Sequence, residues 1–274
     1  MTNTSTTQWA APVDDPITQA KLLAIASSSA RVVSLVRSQS AEQESFAVCT
    51  DANLHRPDLA HLPHLVVLDV DSTLIDQEVI DLLADFAGVG HEVAQITEQA
   101  MQGNLDFETA LRERVALLAN TSAEALGLAS STITLRQGAA ELVSTLQQVG
   151  CKVGLVSGSF IQVIEPLAKA LGIDFIAANQ LEVTNQVITG ALTGPIVDRV
   201  GKSDALQRFA STLQIPLSQT VAIGDGANDI EMLKTAGFGV AFNAKPALIA
   251  AADATVISPY LSDCLYVLGF STRG

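Results

Sequence analysis

Clusters of acidic and small polar residues follow short apolar runs at several points along this 274-residue chain. The first cluster begins with Asp69 and Asp71, which come directly after the apolar run 65–68. In extended backbone, residues two apart point to the same side, so we expect both carboxylates to face one small volume. Two such carboxylates stay charged together only with a cation or a proton between them. The pair indicates either a hard metal such as Mg²⁺ or a division of nucleophile and acid–base roles.

A second acidic cluster follows the apolar run 220–223 and contains Asp225, Asn228 and Asp229 among two glycines. Glycine allows a tight turn and a close approach of the backbone to a ligand. Carboxylate and amide oxygens are the hard ligands that Mg²⁺ prefers. A plain turn rich in Asp, Asn and Gly is the alternative, but a surface turn does not need two acids beyond a buried strand. We therefore favour a metal site here.

Two further positions supply groups that can bind an anion. Ser157 and Gly158 precede a predicted helix at 160–171, where a hydroxyl and free backbone N–H groups form an anion site. A helix cap is the simpler role for such a serine. Lys202 opens a predicted helix at 203–213 and, taken alone, is typical of a solvated surface charge. Together with the carboxylates, these groups meet the requirements of phosphoryl transfer.

The apolar runs alternate with helical patterns along most of the chain, as buried parallel strands do in α/β proteins. The runs lie at 65–68, 152–156, 173–177, 220–223, 239–242 and 254–257. This alternation predicts an α/β fold with a doubly wound parallel sheet. Because ligands of open α/β sheets bind beyond the carboxyl ends of the strands, we expect the polar clusters to meet at one edge of the sheet.

Two segments interrupt the alternation. Residues 76–136 contain amphipathic helical patterns without a strand signal, which predicts a helical cap inserted after the first core strand. Residues 181–192 alternate around a polar centre, which predicts a β-hairpin. The predicted units are a catalytic core at 65–75 and 137–274, the cap at 76–136, and an N-terminal appendage at 1–64 with no assigned role. The appendage has a helical pattern at 17–30, a β-branched stretch at 31–37 and a further segment at 45–50.

Composition narrows the class of ligand. The chain carries 15 Lys and Arg against 29 Asp and Glu, a net charge of −14 without a basic run, which argues against nucleic acid or an anionic membrane as the main partner. Three widely spaced cysteines suit neither a disulfide framework nor a zinc site. The chain also lacks a secretion signal, a membrane-spanning run and the glycine-rich motifs of nucleotide sites. We expect a cytoplasmic protein with a small-molecule ligand, and a homodimer is compatible with the sequence.

The motifs resemble those of the haloacid dehalogenase-like superfamily. DVDSTLIDQE, SGSF, Lys202 and GDGANDIEMLKTAGFGVAFNAKP occur in the order of that family's four motifs, and the match runs from about residue 65 to the C-terminus. The segment from Met101 to Arg114 is similar to the cap of members that act on O-phosphoserine. The resemblance implies a Mg²⁺-dependent phosphatase that releases L-serine and phosphate through an aspartyl-phosphate intermediate, the last step of phosphorylated serine biosynthesis.

The resemblance also implies roles for single residues in the core. Asp69 is the expected nucleophile, and Asp71 is the expected acid and base. The expected ligands of Mg²⁺ are Asp69, the backbone carbonyl of Asp71 and Asp225, with Asp229 supporting them. The expected phosphate-binding groups are Ser157, the Gly158 amide, Lys202 and Asn228.

Substrate choice is expected to come from the cap. By the resemblance, Glu78 faces the ammonium of the substrate, Arg114 binds its carboxylate and Phe107 provides an apolar wall. Two other functions use similar residues. One is the same chemistry on another small phosphomonoester, or phosphoryl transfer to an alcohol. The other is a receiver-like domain that only accepts a phosphoryl group, which has no helical insert after its first strand.

Overall fold

The computed structural model of the protein describes residues 33–40, 43–49, 63–268 and 270. The helical pattern at 17–30 and most of the predicted appendage lie outside the described residues. None of the helices in the described ranges is long and apolar enough to cross a membrane.

Nine strands form one sheet in the described part of the chain. They are β1 (Val33–Ser40), β2 (Gln43–Cys49), β3 (Leu65–Asp69), β4 (Lys152–Phe160), β5 (Phe175–Thr184), β6 (Val187–Thr193), β7 (Thr220–Gly224), β8 (Phe238–Phe242) and β9 (Ala254–Ile257). Their order is β2-β1-β9-β8-β7-β3-β4-β5-β6. Only the outer pairs β1–β2 and β5–β6 are antiparallel, so the doubly wound, mostly parallel sheet is confirmed.

The central strand β3 is buried along its whole length, because helices cover both faces of the sheet. Leu65 and Val67 pack into one apolar cluster, whereas Val66 and Leu68 pack into the other. Side chains of a strand alternate between the two faces, so a continuous apolar run is what a strand between two helical layers requires. The same reason accounts for the fully buried β7, β8 and β9.

Ten α-helices connect or flank the strands in the described ranges. They are α1 (Val79–Ala87), α2 (Gly90–Met101), α3 (Phe107–Leu117), α4 (Glu124–Thr132), α5 (Ala139–Gln148), α6 (Ile161–Ala170), α7 (Arg199–Leu213), α8 (Ile230–Thr235), α9 (Pro246–Ile249) and α10 (Cys264–Val267). Helices α1 to α4 lie between β3 and α5, within the predicted cap. The exact domain boundaries stay a prediction.

An antiparallel pair of strands forms each end of the sheet. The hairpin predicted at 181–192 is present, with Asn185 and Gln186 both at positive φ between β5 and β6. Two such residues are typical of the type I′ turn that matches the twist of a hairpin. At the other end, β1 pairs in parallel with β9, and β2 forms the outer edge. Part of the segment 1–64 therefore extends the core sheet.

Candidate active site

A cavity of about 320 Å³ opens beyond the carboxyl ends of β3, β4 and β7. Because β3 lies between β4 and β7, the residues that follow these three strands meet at one edge, as the fold rule predicts. Nine of the eleven predicted site residues line this cavity: Asp69, Asp71, Glu78, Phe107, Arg114, Gly158, Lys202, Asp225 and Asn228. The other two, Ser157 and Asp229, are buried and do not line it.

Lys202 lies at the floor of the site and is 1% exposed. Its Nζ donates hydrogen bonds to Oδ1 of Asp69 at 2.6 Å and to Oδ1 of Asp229 at 2.7 Å. Burial alone would lower the pKa of Lys202, but the two carboxylates outweigh it and raise the pKa above its ordinary value. Lys202 is therefore not the solvated surface charge that its residue type alone would suggest. Helix α7 also begins at Arg199, earlier than predicted, so Lys202 lies within its first turn.

Asp69 ends strand β3 and is 3% exposed. Its Oδ1 accepts a hydrogen bond from the backbone N–H of Val70 at 2.8 Å as well as from Lys202. Burial raises the pKa of Asp69 well above its ordinary value, the charge of Asp229 raises it further, and Lys202 opposes both effects. A positively charged ligand or a second cation next to this carboxylate would restore its charged form.

Asp71 follows Asp69 in extended backbone just beyond the strand end. Burial, and then the charge of Glu78, raise the pKa of Asp71 to about 8, although Lys202 opposes them. Its buried Oδ1 accepts no hydrogen bond from the described residues. At neutral pH the Asp71 carboxyl therefore holds a proton inside the cavity, which suits a general acid.

Three carboxylates could hold a metal ion: Asp69, Asp225 and Asp229 each offer an oxygen, and these oxygens lie within 4.8 Å of one another. Thr73 donates a hydrogen bond to Asp225 at 3.1 Å. Burial, and then the charge of Asp229, raise the pKa of Asp225 to about 6. A set of carboxylate oxygens fits a hard divalent cation. The part predicted for the carbonyl of Asp71 stays a prediction.

Asp229 organises the loop that carries Asp225. Its Oδ1 accepts from Lys202, while its Oδ2 accepts from the backbone N–H groups of Asp225 at 3.2 Å and Gly226 at 3.0 Å. A Cβ at Gly224 would lie 2.5 Å from the same Oδ2, so only glycine lets strand β7 approach this carboxylate. Asp229 is therefore built into the support of the site and has no exposed surface.

Strand β4 continues to Phe160, beyond the predicted end of its apolar run. Helix α6 begins at Ile161, so Ser157 is not the cap of that helix. The Ser157 hydroxyl accepts from the backbone N–H of Ser159 at 2.9 Å, within the stretch 157–160 where the pairing of β4 with β5 shifts its register. A Cβ at Gly158 would lie 3.1 Å from Cζ of Phe107, so glycine allows the cap side chain to close onto the core.

The cap places opposite charges on one side of the cavity. Glu78 Oε1 accepts a hydrogen bond from the Ser72 hydroxyl at 2.8 Å. Arg114 is fixed by two donated hydrogen bonds, from Nε to the Ala110 carbonyl at 3.1 Å and from Nη1 to the Thr97 hydroxyl at 3.4 Å. The remaining N–H groups of a guanidinium can bind a carboxylate ligand. Glu78 and Arg114 thus line the same cavity as the buried charged residues Asp69 and Lys202 of the core.

Sequence reasoning did not assign several residues that line the cavity: Ile80, Asp81, Thr97, Met101, Leu111, Ser159, Phe160, Gly226 and Lys245. Part of the signal was present, because Met101 lies in the cap segment and Lys245 in the last motif. The backbone N–H of Lys245 donates to the Asp225 carbonyl at 3.0 Å, which brings this lysine to the cavity. Helical periodicity alone does not separate such positions from ordinary core or surface positions.

A family model for haloacid dehalogenase-like hydrolases matches residues 63–237. The chain belongs to this family. A phosphoserine phosphatase of Mycobacterium tuberculosis is 51% identical to this chain over 210 residues, which cover 77% of this chain and 51% of that protein. A phosphoserine phosphatase of Streptococcus thermophilus is 47% identical over 210 residues, 77% of this chain and 98% of that protein.

Solved structures of the family agree with the fold. A phosphoserine phosphatase solved as a phospho-aspartyl intermediate analogue has a TM-score of 0.70 and 40% identity, covering 75% of this chain and 98% of that one. A substrate-bound phosphoserine phosphatase complex has a TM-score of 0.70 and 40% identity. The match spans about half the length of the relatives from M. tuberculosis and Streptomyces coelicolor.

Proposed function

We propose that this chain is a Mg²⁺-dependent phosphatase that hydrolyses O-phospho-L-serine through a phosphorylated Asp69. The observation that carries the proposal is a single cavity in which Asp69, Asp71 and Lys202 face Glu78 and Arg114. The first three groups suit phosphoryl transfer, and the last two suit the charged head group of an amino acid. The names of the relatives from M. tuberculosis and S. thermophilus support the same substrate.

The donor set of the site fits Mg²⁺. Asp69, the backbone carbonyl of Asp71 and Asp225 would hold the ion, and Asp229 would support them through its contacts with the loop. When bound, Mg²⁺ supplies positive charge that neutralises the phosphoryl oxygens and keeps the clustered carboxylates ionised. Lys202 contributes a second, permanent positive charge next to the nucleophile.

In the first step, an oxygen of Asp69 attacks phosphorus and the bond from phosphorus to the seryl oxygen breaks. Asp71 donates its proton to the departing seryl oxygen, so serine leaves as a neutral alcohol. The raised pKa of Asp71 keeps this proton available at neutral pH. Ser157, the Gly158 N–H, Lys202 and Asn228 would bind the phosphoryl oxygens, and Gly158, Lys202 and Asn228 line the cavity.

In the second step, water attacks phosphorus and the bond to Asp69 breaks. Asp71, now a carboxylate, takes the proton from this water, which returns both aspartates to their starting states. Phosphate then leaves the cavity. The same carboxyl group thus serves as acid and base in turn.

Phosphate release from a panel of esters tests the proposal. We would compare O-phospho-L-serine, phosphoethanolamine, phosphoglycolate and a sugar phosphate, with Mg²⁺ or EDTA, using the wild type and Asp69→Asn. We expect a strong preference for phosphoserine that is lost in EDTA and in the variant. Metal-dependent release without that preference would contradict the roles of Glu78 and Arg114, and no release from any ester would contradict the proposal as a whole.

A further inference from the structure

Two chain segments connect the core with the cap helices, at 70–78 and at 133–138. They run side by side: the backbone N–H of Asp76 donates to the Thr134 carbonyl at 3.0 Å, and that of Arg136 donates to the Leu74 carbonyl at 2.9 Å. Ile75 and Leu135 form an antiparallel bridge between them. Any movement of the cap relative to the core must change the conformation of these two segments.

The guanidinium of Arg136 joins the two segments through side-chain contacts. Its Nη2 donates to the backbone carbonyl of Ser72 at 3.0 Å, and its Nη1 forms an ion pair with Asp76 at 3.1 Å. Its Nε is buried and has no partner among the described residues. Arg136 is thus held by two points of its planar fork, a geometry that lysine cannot reproduce.

Ser72 connects this arginine to the cavity. Its φ is +59°, in the left-handed region that a residue with a side chain rarely adopts, so contacts to this peptide are needed to hold it. The Ser72 hydroxyl donates to Oε1 of Glu78 at 2.8 Å. Ser72 therefore contacts Arg136 through its backbone carbonyl and Glu78 through its side-chain hydroxyl.

We infer that Arg136 is a positioning residue for Glu78: by holding the Ser72 peptide, it fixes the carboxylate that the substrate ammonium would meet. Arg136 does not line the cavity, so its effect reaches the substrate only through Ser72 and Glu78. This inference rests on the proposed function, because it assigns a specificity role to Glu78.

The test compares two esters that differ only in the amino group: O-phospho-L-serine and 3-phosphooxypropionate. For Arg136→Met we expect kcat/KM for phosphoserine to fall by about tenfold, the effect of losing roughly one well-aligned polar contact, with the amine-free ester affected less than twofold. Arg136→Lys keeps the positive charge but lacks the planar guanidinium. Its kcat/KM for phosphoserine should lie between that of Arg136→Met and that of the wild type. Arg112→Met is the matched control, because Arg112 pairs with Glu108 on the exposed cap surface and should leave the ratio unchanged.

Two further variants test the path through Ser72. Ser72→Gly keeps the left-handed backbone available and removes the CH₂OH side chain with its hydrogen bond to Glu78, so we expect the same loss of preference as in Arg136→Met. In a Glu78→Ala background, Arg136→Met should cause no further change in the ratio, because residues on one path do not act additively. Thermal melting of each variant shows that the chain is folded.

The outcomes separate the inference from the function on which it rests. The inference would be overturned if Arg136→Met lost activity equally on both esters. It would also be overturned if the ratio of kcat/KM for the two esters were unchanged in both Arg136→Met and Ser72→Gly. In either case, a wild type that prefers phosphoserine would still support the proposed function. A wild type that cleaves the two esters equally well would overturn the role of Glu78 and the inference with it. If Arg136→Met does not fold, the lysine and Ser72→Gly variants decide.

Discussion

The ammonium group of Lys202 lies between the carboxylates of Asp69 and Asp229, and this arrangement governs the electrostatics of the site. A buried ion pair contributes little net stability because both partners lose hydration, but removal of one partner leaves an unpaired buried charge. The cluster also contains Asp225, so its carboxylates outnumber the buried ammonium. Burial, and then the charge of Asp229, raise the pKa values of Asp69 and Asp225, and a divalent cation bound to these carboxylates would oppose both effects.

Replacing Asp71 with asparagine tests the proton transfer. An asparagine side chain is not ionisable, so Asp71→Asn should still bind phosphoserine while turnover falls by roughly 10²–10⁴-fold. Single-turnover phosphate release and substrate binding measure the two effects separately. Near-normal turnover would remove Asp71 from the mechanism.

The affinity for Mg²⁺ should depend on pH. Burial and the charge of Asp229 raise the pKa of Asp225 to about 6, and only its deprotonated form binds the cation. The contribution of Asp225 to the affinity is therefore complete well above pH 6 and is lost as the pH drops through that value. From pH 7.5 to pH 5 we expect the affinity to fall by about tenfold for this group alone. Calorimetric titration of the wild type with Mg²⁺ at the two pH values measures the change.

Two variants serve as controls for this titration. Asp225→Asn removes the titrating ligand and should bind Mg²⁺ weakly at both pH values. Asp174→Asn removes an acid that pairs with Lys152 at the opposite end of β4, and it should titrate like the wild type. Wild-type affinity in Asp225→Asn would exclude Asp225 as a ligand.

At the scale of elements, helix α7 sets the position of Lys202 through its start. Asp198 is the N-cap, and its side chain accepts from the backbone N–H of Gly201 at 2.8 Å. This bond satisfies one of the free N–H groups of the first turn, in which Lys202 lies. The cap residue therefore determines both the stability of the helix and the point at which the lysine enters the site.

Removing this cap should destabilise the protein. We expect Asp198→Ala to lower the free energy of unfolding by about 1 kcal/mol, the usual cost of a lost N-cap. Urea denaturation of the wild type and the variant measures this difference in the free energy of unfolding. Asp204→Ala, at an exposed position of the same helix, is the control and should change stability by less than about 0.5 kcal/mol. Equal effects of the two substitutions would contradict the capping role.

At the scale of the whole molecule, the site lies at the centre of the sheet, and the N-terminal strands lie at its edge. Strand β9 is buried on all four residues and pairs with β1. An apolar strand without its neighbour presents unpaired backbone groups that promote aggregation. The two N-terminal strands therefore protect the core sheet at a distance from β3, β4 and β7.

Deletion of residues 1–50 removes β1 and β2 and should lower the melting temperature and increase aggregation, because it exposes the edge of β9. Phosphate release per folded molecule should change little, since the deletion does not touch the site. Light scattering during a thermal ramp measures aggregation. A chain lacking only residues 1–30 retains both strands and serves as the control. Identical melting of the wild type and the longer deletion would contradict this role.

The sequence by itself predicted the parallel core strands, the hairpin of β5 and β6 and the four polar clusters, because burial between two helical layers produces continuous apolar runs that can be read locally. It did not predict that β1 and β2 extend the sheet. The fold rule for open sheets then brought Asp69, Asp71 and Asp225 to one edge. The roles of Glu78 and Arg114 came from the family resemblance, and by periodicity alone both would pass for surface charges.

Only the tertiary structure decided contacts between distant residues. Lys202 and Asp69 are 133 positions apart, so no local pattern distinguishes this buried lysine from a surface one. The extension of β4 to Phe160 and the early start of α7 depend on packing and capping at the site. The contacts from Arg136 through Ser72 to Glu78 cannot be read from periodicity. They depend on how the segments 70–78 and 133–138 pack side by side.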